Sequence, residues 1–335
     1  MIRSDSILRA VATATASFAI AAAMLATPAA WAQQPITLRI GHNTPVGTPL
    51  DLGIKRFGKL VEERSGGKIV VRDYPGGQIG NEQQMIEGLQ IGTLDMAGII
   101  GSTYGNVLPE ANVLGVLYAF RDPAHMKKAM QGPVGDQLAA ALLKKTNIHI
   151  MSSAWYYGTR QLTSNKPVKT PADMVGMKIR VVPVPIFEAC WRAVGATPTP
   201  VDFKDLFTAL QTNAVDAQEN PLATTKGAGI HLVNKNLSLT DHLVANVVVA
   251  MSDELYRRLK PDQIELIRTA VRDAGTYQDE LTVKSEQDLL VEFKAAGVTV
   301  VQPDKAAFRE KVKDIPTTFQ NGVLADIYKK IQAVQ

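Results

Sequence analysis

The chain has 335 residues, 36 of them Lys or Arg and 32 Asp or Glu, for a net charge of +4, and 46% of its residues are hydrophobic. A balance this mild, with basic residues scattered among acidic ones, argues against nucleic acid as a partner, and the length suits two cores better than one. The single cysteine, Cys190, excludes an internal disulfide, and its place in the apolar run Ile186-Phe187-Glu188-Ala189-Cys190-Trp191 predicts a buried, inert thiol.

Residues 1–32 carry Arg3 and Arg9, then an uncharged run from Ala10 ending in Ala30-Trp31-Ala32, a small-x-small cleavage pattern. This reads as a secretory signal peptide cut before Gln33. A retained membrane anchor is the alternative, because the run is long enough to span a bilayer, but Thr, Ser and Ala dilute it and Pro28 interrupts it. No cysteine precedes Gln33 to carry a lipid.

From there, strand and helix patterns alternate. A strand is expected over Thr37–Gly41, a helix from Pro49 to Arg64 stopped by Gly66-Gly67, a strand over Ile69–Arg72, a helix around Gln84–Gln90, and a strand over Leu94–Ile100. The pattern restarts with strands at Ile148–Ser153, Lys178–Val182 and Ala214–Ala217. Leu243–Met251 is a nearly continuous apolar run, as for a strand buried on both faces that crosses from one lobe to the other. Helical spacing of Leu266, Ile267, Ala270, Val271, Ala274, Tyr277 and Leu281 predicts one long amphipathic helix within Pro261–Ala295, with a bend at Gly275. Together these predict an α/β chain of two lobes, each a mixed, mostly parallel sheet flanked by helices. The expected partition is 33–157 plus 246–285 for the first lobe and 158–245 plus 286–335 for the second.

Chemistry-bearing motifs are few. The chain has no Gly-x-Ser-x-Gly, Walker loop, His-Glu-x-x-His or Cys-x-x-Cys, and His42, His125, His149, His231 and His242 stand singly, without metal-ligand spacing. No catalytic residue, metal or cofactor is therefore expected. What stands out is Arg180 in the strand Lys178-Ile179-Arg180-Val181-Val182: alternation puts Ile179 and Val181 on one face and Arg180 on the other, at the carboxyl end where open α/β sheets bind ligands. A lone strand-end arginine is ordinarily a rim residue. Its planar, permanently charged fork nevertheless suits a carboxylate. Arg160, after Trp155-Tyr156-Tyr157, would by itself be solvated or stacked on a phenol, and Asn220-Pro221 by itself is a turn pair.

The order of motifs changes the weight of these residues. Lys178-Ile179-Arg180, Gly195-Ala196-Thr197-Pro198-Thr199-Pro200, Ala209-Leu210-Gln211 and Val215-Asp216-Ala217-Gln218-Glu219-Asn220-Pro221, preceded by Tyr74-Pro75-Gly76-Gly77-Gln78-Ile79-Gly80 and Gly158-Thr159-Arg160-Gln161-Leu162-Thr163-Ser164-Asn165, resemble the solute receptors of TRAP transporters, the DctP family. The resemblance implies a periplasmic binding-protein fold with a long helix across both lobes, acting as a monomer with the small and large membrane subunits of an ion-gradient-driven transporter. It implies binding without catalysis. Arg180 would pair with a ligand carboxylate, with Arg160 and Asn220 completing the clamp and Asn43, Glu82, Phe203 and Trp155 shaping the rest. Two arginines converging on one anion would repel each other when the site is empty.

Two departures narrow the cargo. Ile100 stands where the sialic-acid branch has a carboxylate, which disfavours sialic acid, and Ala217 replaces the usual glycine. A uronate or other sugar acid is the first expectation, and a C4-dicarboxylate or small hydroxy or keto acid the second. A receptor for a membrane sensor kinase and a periplasmic enzyme are the readings from other classes.

Overall fold

The computed structural model describes residues 34–335, so the expected leader lies outside the described residues. Its strands are β1 (Ile36–His42), β2 (Ile69–Tyr74), β3 (Met96–Ile100), β4 (Ile148–Ser164), β5 (Lys178–Val181), β6 (Thr197–Pro200), β7 (Ala217–Pro221), β8 (Asn236–Ser252) and β9 (Thr299–Val301). They join in the order β2-β1-β3-β8-β4-β7-β5-β6, with β9 beside β8. The outer pairs β1–β2, β1–β3, β5–β6 and β5–β7 are parallel, and so is β8–β9; the pairs β3–β8, β4–β8 and β4–β7 are antiparallel. Two parallel flanks thus lie on either side of the long antiparallel strands β8 and β4.

Both long strands exceed their sequence expectations. β4 continues past Ser153 to Ser164 through register shifts at Ser152, Trp155, Gly158 and Leu162. Such bulges re-aim a strand without ending it, which is why a period-two reading stopped early. β8 begins at Asn236, and every residue from His242 to Ser252 is buried, as its apolar run predicts. The expected lobe boundaries at 157/158, 245/246 and 285/286 fall inside β4, β8 and the long helix, each of which is continuous.

Helix α1 (Pro49–Ser65) buries Leu50, Ile54, Phe57, Leu60 and Val61 on one stripe and ends at Gly66, whose φ of 61° closes the last turn. Helix α2 (Glu82–Ile91) starts with a capping box in which Asn81 accepts from the Gln84 backbone and Gln84 returns the bond. The long helix spans Pro261–Ala295. Its first half packs Ile267, Ala270, Val271 and Ala274 into the main core, and near its end Phe293 joins Leu222, Leu237 and Val298 in a separate cluster. Side chains tie it to both flanks: Asp273 to Arg64 at 2.6 Å, Asp279 to Lys127 at 2.8 Å, and Glu292 to Lys226.

The helix runs unbroken through Gly275. A Cβ there would come within 2.4 Å of Trp155 Nε1, so the glycine lets the indole lie against the helix. Trp155 Nε1 donates to the Val271 carbonyl at 3.2 Å from a fully buried position. Cys190 is likewise buried, and burial pushes its thiol up to about 12, as expected of an inert thiol. Among the described residues, no helix is long and apolar enough to cross a membrane.

Candidate functional site

Between the two flanks of the sheet lies a cleft lined by residues from both of them. One wall is built from the ends of β1 and β3 and the start of α2, through Asn43, Thr44, Asn81, Glu82, Gln83, Gly98, Ile100, Thr103 and Asn106. The other comes from the ends of β5 and β7, through Arg180, Val182, Pro183, Asp202, Phe203 and Asn220, with Tyr157 from β4 at the base. The site thus sits outside the carboxyl ends of parallel strands, where the sheet changes direction.

Arg180 reaches the cleft by the alternation of β5: Ile179 and Val181 are fully buried in the core, while Arg180 and Val182 line the cavity. Its Nε donates to the Val201 carbonyl at 2.7 Å, and it forms no ion pair among the described residues. Burial lowers its guanidinium to about 10; Glu219 opposes that fall and Arg160 adds to it. The group stays charged at neutral pH, desolvated and without a counter-ion, so an anion entering the cleft meets a cation that water does not screen.

Strand alternation also sorts β7. Gln218 and Asn220 share one face, and Asn220 lines the cleft with its Nδ2 donating to Gln218 Oε1 at 2.6 Å. Asn220 is therefore a strand residue rather than the turn residue that Asn-Pro suggests, because β7 runs through Pro221. Glu219, between them, points to the opposite face. There it accepts from Arg160 Nε at 2.5 Å and Nη2 at 2.8 Å, and lies 3.0 Å from His242 Nε2.

The Arg160–Glu219–His242 cluster corrects the expected clamp. Arg160 is fully buried but does not line the cleft, and Glu219 pairs with it and offsets its repulsion of Arg180. The register explains the pairing: Arg160 opposes Pro221 and Leu162 opposes Glu219, so the two side chains are diagonal neighbours on one face of the β4–β7 pair. Burial alone would raise the Glu219 carboxyl, but the Arg160 charge and the bonds from His242 and Arg160 hold it down at about 2. Trp155 is the second residue outside the lining, since its ring is taken up by the long helix. Glu219 lies within the Val215–Pro221 motif and His242 stands singly in the sequence, but no local signal pairs either with Arg160, because the β4–β7 and β4–β8 registers bring them together.

On the opposite wall, Glu82 accepts from Ile100 N at 3.2 Å and from Thr103 Oγ1. Its burial raises the carboxyl, and the Thr103 and Ile100 bonds and the two arginines pull the other way. Asn43 offers a buried Oδ1 with no hydrogen-bond partner among the described residues. Phe203 both lines the cleft and packs against the small cluster of Leu206, Leu210, Val215 and Ile230, so ligand contact and core packing coexist in it. Ala217 is buried in β7, outside the lining. Tyr157, which no motif marks, accepts from Thr224 Oγ1 at 2.9 Å, and burial pushes its phenol up to about 12, so its hydroxyl stays protonated. Across the cleft mouth, Asn81 Nδ2 donates to Asp202 Oδ2 at 2.9 Å and Asn106 Nδ2 to the Pro183 carbonyl at 3.1 Å.

The family model for bacterial extracellular solute-binding protein, family 7 (DctP), matches residues 40–321. The chain belongs to this family, the solute receptors of TRAP transporters. It is 33% identical to the 2,3-diketo-L-gulonate-binding periplasmic protein YiaO of Escherichia coli (strain K12), over 89% of this chain and 92% of that one. A TRAP periplasmic solute-binding protein from Pseudomonas putida F1 with bound D-glucuronate superposes with a TM-score of 0.85 at 30% identity, covering 90% of this chain and 98% of that one. Another from Sulfurospirillum deleyianum DSM 6946, with bound succinate, matches with the same TM-score at 28% identity, covering 90% and 100%. DctP relatives and structural neighbours are binding proteins for transport rather than enzymes, and the DctP receptors among them carry sugar acids as well as dicarboxylates.

Proposed function

We propose that this DctP receptor is periplasmic and closes over a monocarboxylate sugar acid, a uronate or aldonate, which it delivers to the small and large membrane subunits of a TRAP transporter. The observation that carries this reading is the charge of the cleft. Among the described residues Arg180 is its one cation, while Glu82 and Asp202 are acids and Asn43 offers an unpaired acceptor. One cation suits one carboxylate, and acids with amides suit several hydroxyls. A C4-dicarboxylate would bring a second anion toward Glu82 with no cation to meet it. In this reading Arg180 forks onto the carboxylate, Asn220 adds an amide, Asn43 and Glu82 take hydroxyl protons, and Phe203 covers an apolar ring face. Arg160 acts from behind, holding β7 in place through Glu219. The lobes divide near 157/158, 245/246 and 285/286, with β4, β8 and the long helix as the crossings, and the receptor acts as a monomer.

A thermal-shift screen of purified, ligand-free protein against uronates, aldonates, aldarates, dicarboxylates and keto acids tests the cargo. An acid at a hundred times its Kd adds about 2.7 kcal/mol, roughly 4 °C for a chain of this size. Shifts confined to uronates or aldonates are the expected result; a shift with succinate and none with sugar monoacids would overturn the reading in favour of the dicarboxylate.

Closure has its own test. The Asn81–Asp202 bond joins the two walls at the rim, so it contributes to the closed state without touching the carboxylate site. Asp202→Ala is expected to weaken acid binding by roughly 3- to 10-fold, about the worth of one hydrogen bond, with little change in the melting temperature of the empty protein. Unchanged affinity, measured by calorimetry, would remove this contact from the account of closure.

A further inference from the structure

We infer that His42, Asp51 and Asp73 form a binding site for a divalent transition-metal cation, of which Zn²⁺ is the best match, at the root of the segment that carries Asn43 into the cleft. The three residues come from three elements: His42 ends β1, Asp73 lies near the end of β2, and Asp51 sits in the first turn of α1. Sequence spacing hides the set, because the parallel β1–β2 register, with Ile40 opposite Asp73, does the gathering.

The side chains of His42 and Asp51 are fully buried and that of Asp73 is 16% exposed. His42 Nε2 stands 3.3 Å from Asp73 Oδ1 and 3.7 Å from Asp51 Oδ1. None of these three atoms has a hydrogen-bond partner among the described residues. Three lone-pair donors thus converge on one buried point. Donors around a tetrahedral ion at 2.0–2.2 Å stand about 3.4 Å apart, close to the separations seen here.

The surroundings orient the donors toward that point. His42 Nδ1 lies 2.9 Å from Thr44 Oγ1, and a proton on Nδ1 donated to this hydroxyl leaves the Nε2 lone pair facing the carboxylates. Asp51 Oδ2 is occupied by Lys55 Nζ at 2.7 Å and Gly47 N at 2.8 Å, which turns Oδ1 inward. Lys55 is half exposed, so its charge is largely solvated, and it offsets only one of the two carboxylates. One imidazole and two carboxylates suit Zn²⁺ better than Ca²⁺ or Mg²⁺, which favour all-oxygen sets. The partly exposed Asp73 side gives an entry path and room for a water as fourth ligand.

A cation here would fasten β1, β2 and α1 around one short segment. Gly77 N already bonds the His42 carbonyl and Gly76 N the Thr44 carbonyl, each at 3.0 Å, on either side of Asn43. The metal would complete that cage and hold Asn43 at the cleft wall, whichever acid the cleft accepts.

Purified protein freed of metal by a chelator and dialysis should bind one equivalent of Zn²⁺ per chain, read by calorimetry and by metal analysis after gel filtration. Its melting temperature should rise by several degrees, reversibly with EDTA. Asp73→Asn, at the partly exposed ligand, should bind Zn²⁺ at least about 30-fold more weakly while keeping the wild-type circular dichroism spectrum, and His42→Gln should remove the site. Wild-type protein that takes up less than a tenth of an equivalent would overturn the proposal. So would Zn²⁺ held as tightly by folded Asp73→Asn as by wild type, since the metal would then sit elsewhere.

Discussion

Arg180→Ala is expected to weaken binding of the cognate acid by roughly 10²- to 10³-fold, the cost of truncating one partner of a buried, hydrogen-bonded charge pair. The same change should leave the empty protein as stable as before or slightly more so. In the ligand-free cleft Arg180 is a desolvated cation without an ion-pair partner among the described residues, and burial has already pulled it down to about 10. Removing it relieves a cost at the same time as it removes a ligand contact. A loss of affinity together with retained stability is therefore the mark of a binding residue, and a loss of both would mark a structural one. Arg180→Lys keeps the charge but not the fork, and should fall between, roughly 10- to 100-fold weaker. Unchanged affinity in Arg180→Ala would displace Arg180 from the carboxylate.

The opposite profile is expected for its neighbour. Arg160→Met strips Glu219 of its guanidinium and leaves a fully buried carboxylate with only His242 beside it. Breaking such a pair costs about 3–5 kcal/mol, or roughly 5–8 °C in melting temperature here. Replacing both partners, Arg160→Met with Glu219→Leu, should recover much of the loss, because no charge is then left unmatched. The pair also sets an acid limit. Glu219 is held at about 2 in the folded protein against an ordinary 4.5, so the unfolded chain binds its proton more readily. The pair's contribution is full above about pH 4.5 and fades as pH falls toward 2. Thermal melts of wild type and of the double variant between pH 7 and 3 check this, the wild type losing its advantage in that window. A single variant as stable as wild type would mean that the ion pair is energetically silent.

The contrast between these arginines traces what was legible in the sequence. Arg180 could be placed from five residues of strand, because alternation is local and a polar side chain on the wrong face of an apolar strand has to be explained locally. The long helix was read to its observed ends because Pro261 and the 3.6 periodicity are also local signals. Arg160 was assigned to the same clamp by resemblance alone, and the structure puts its partner on another strand, joined by an antiparallel register that no single segment encodes. Trp155 failed for a related reason: an aromatic near a site has many places to go, and Gly275, far along the chain, opened one of them. The expected strand over Ala214–Ala217 falls just short of β7, since Asn213 turns with φ 57° and pairing begins only at Ala217. The cleft polar groups Asn43, Glu82 and Asn220 reached the cavity because each stands at or beside the end of an element. Tyr157 gave no such cue, since a bulge in β4 aims it.

The threading of β4, β8 and the long helix also fixes the order in which this chain can finish folding. β3 is an interior strand whose second neighbour is β8, so the amino-terminal flank has an open edge until β8 has been made. The carboxyl-terminal flank, β4-β7-β5-β6, likewise leaves its β4 edge open until the same β8 is added, and its small Phe293 cluster waits for the far end of the long helix. Neither flank can close its sheet early and wait for the other, as beads on a string would. Both edges therefore keep unpaired backbone until β8, which ends at Ser252, has been added. In a chain built this way, the one strand that covers the open edge of the first flank also covers that of the second.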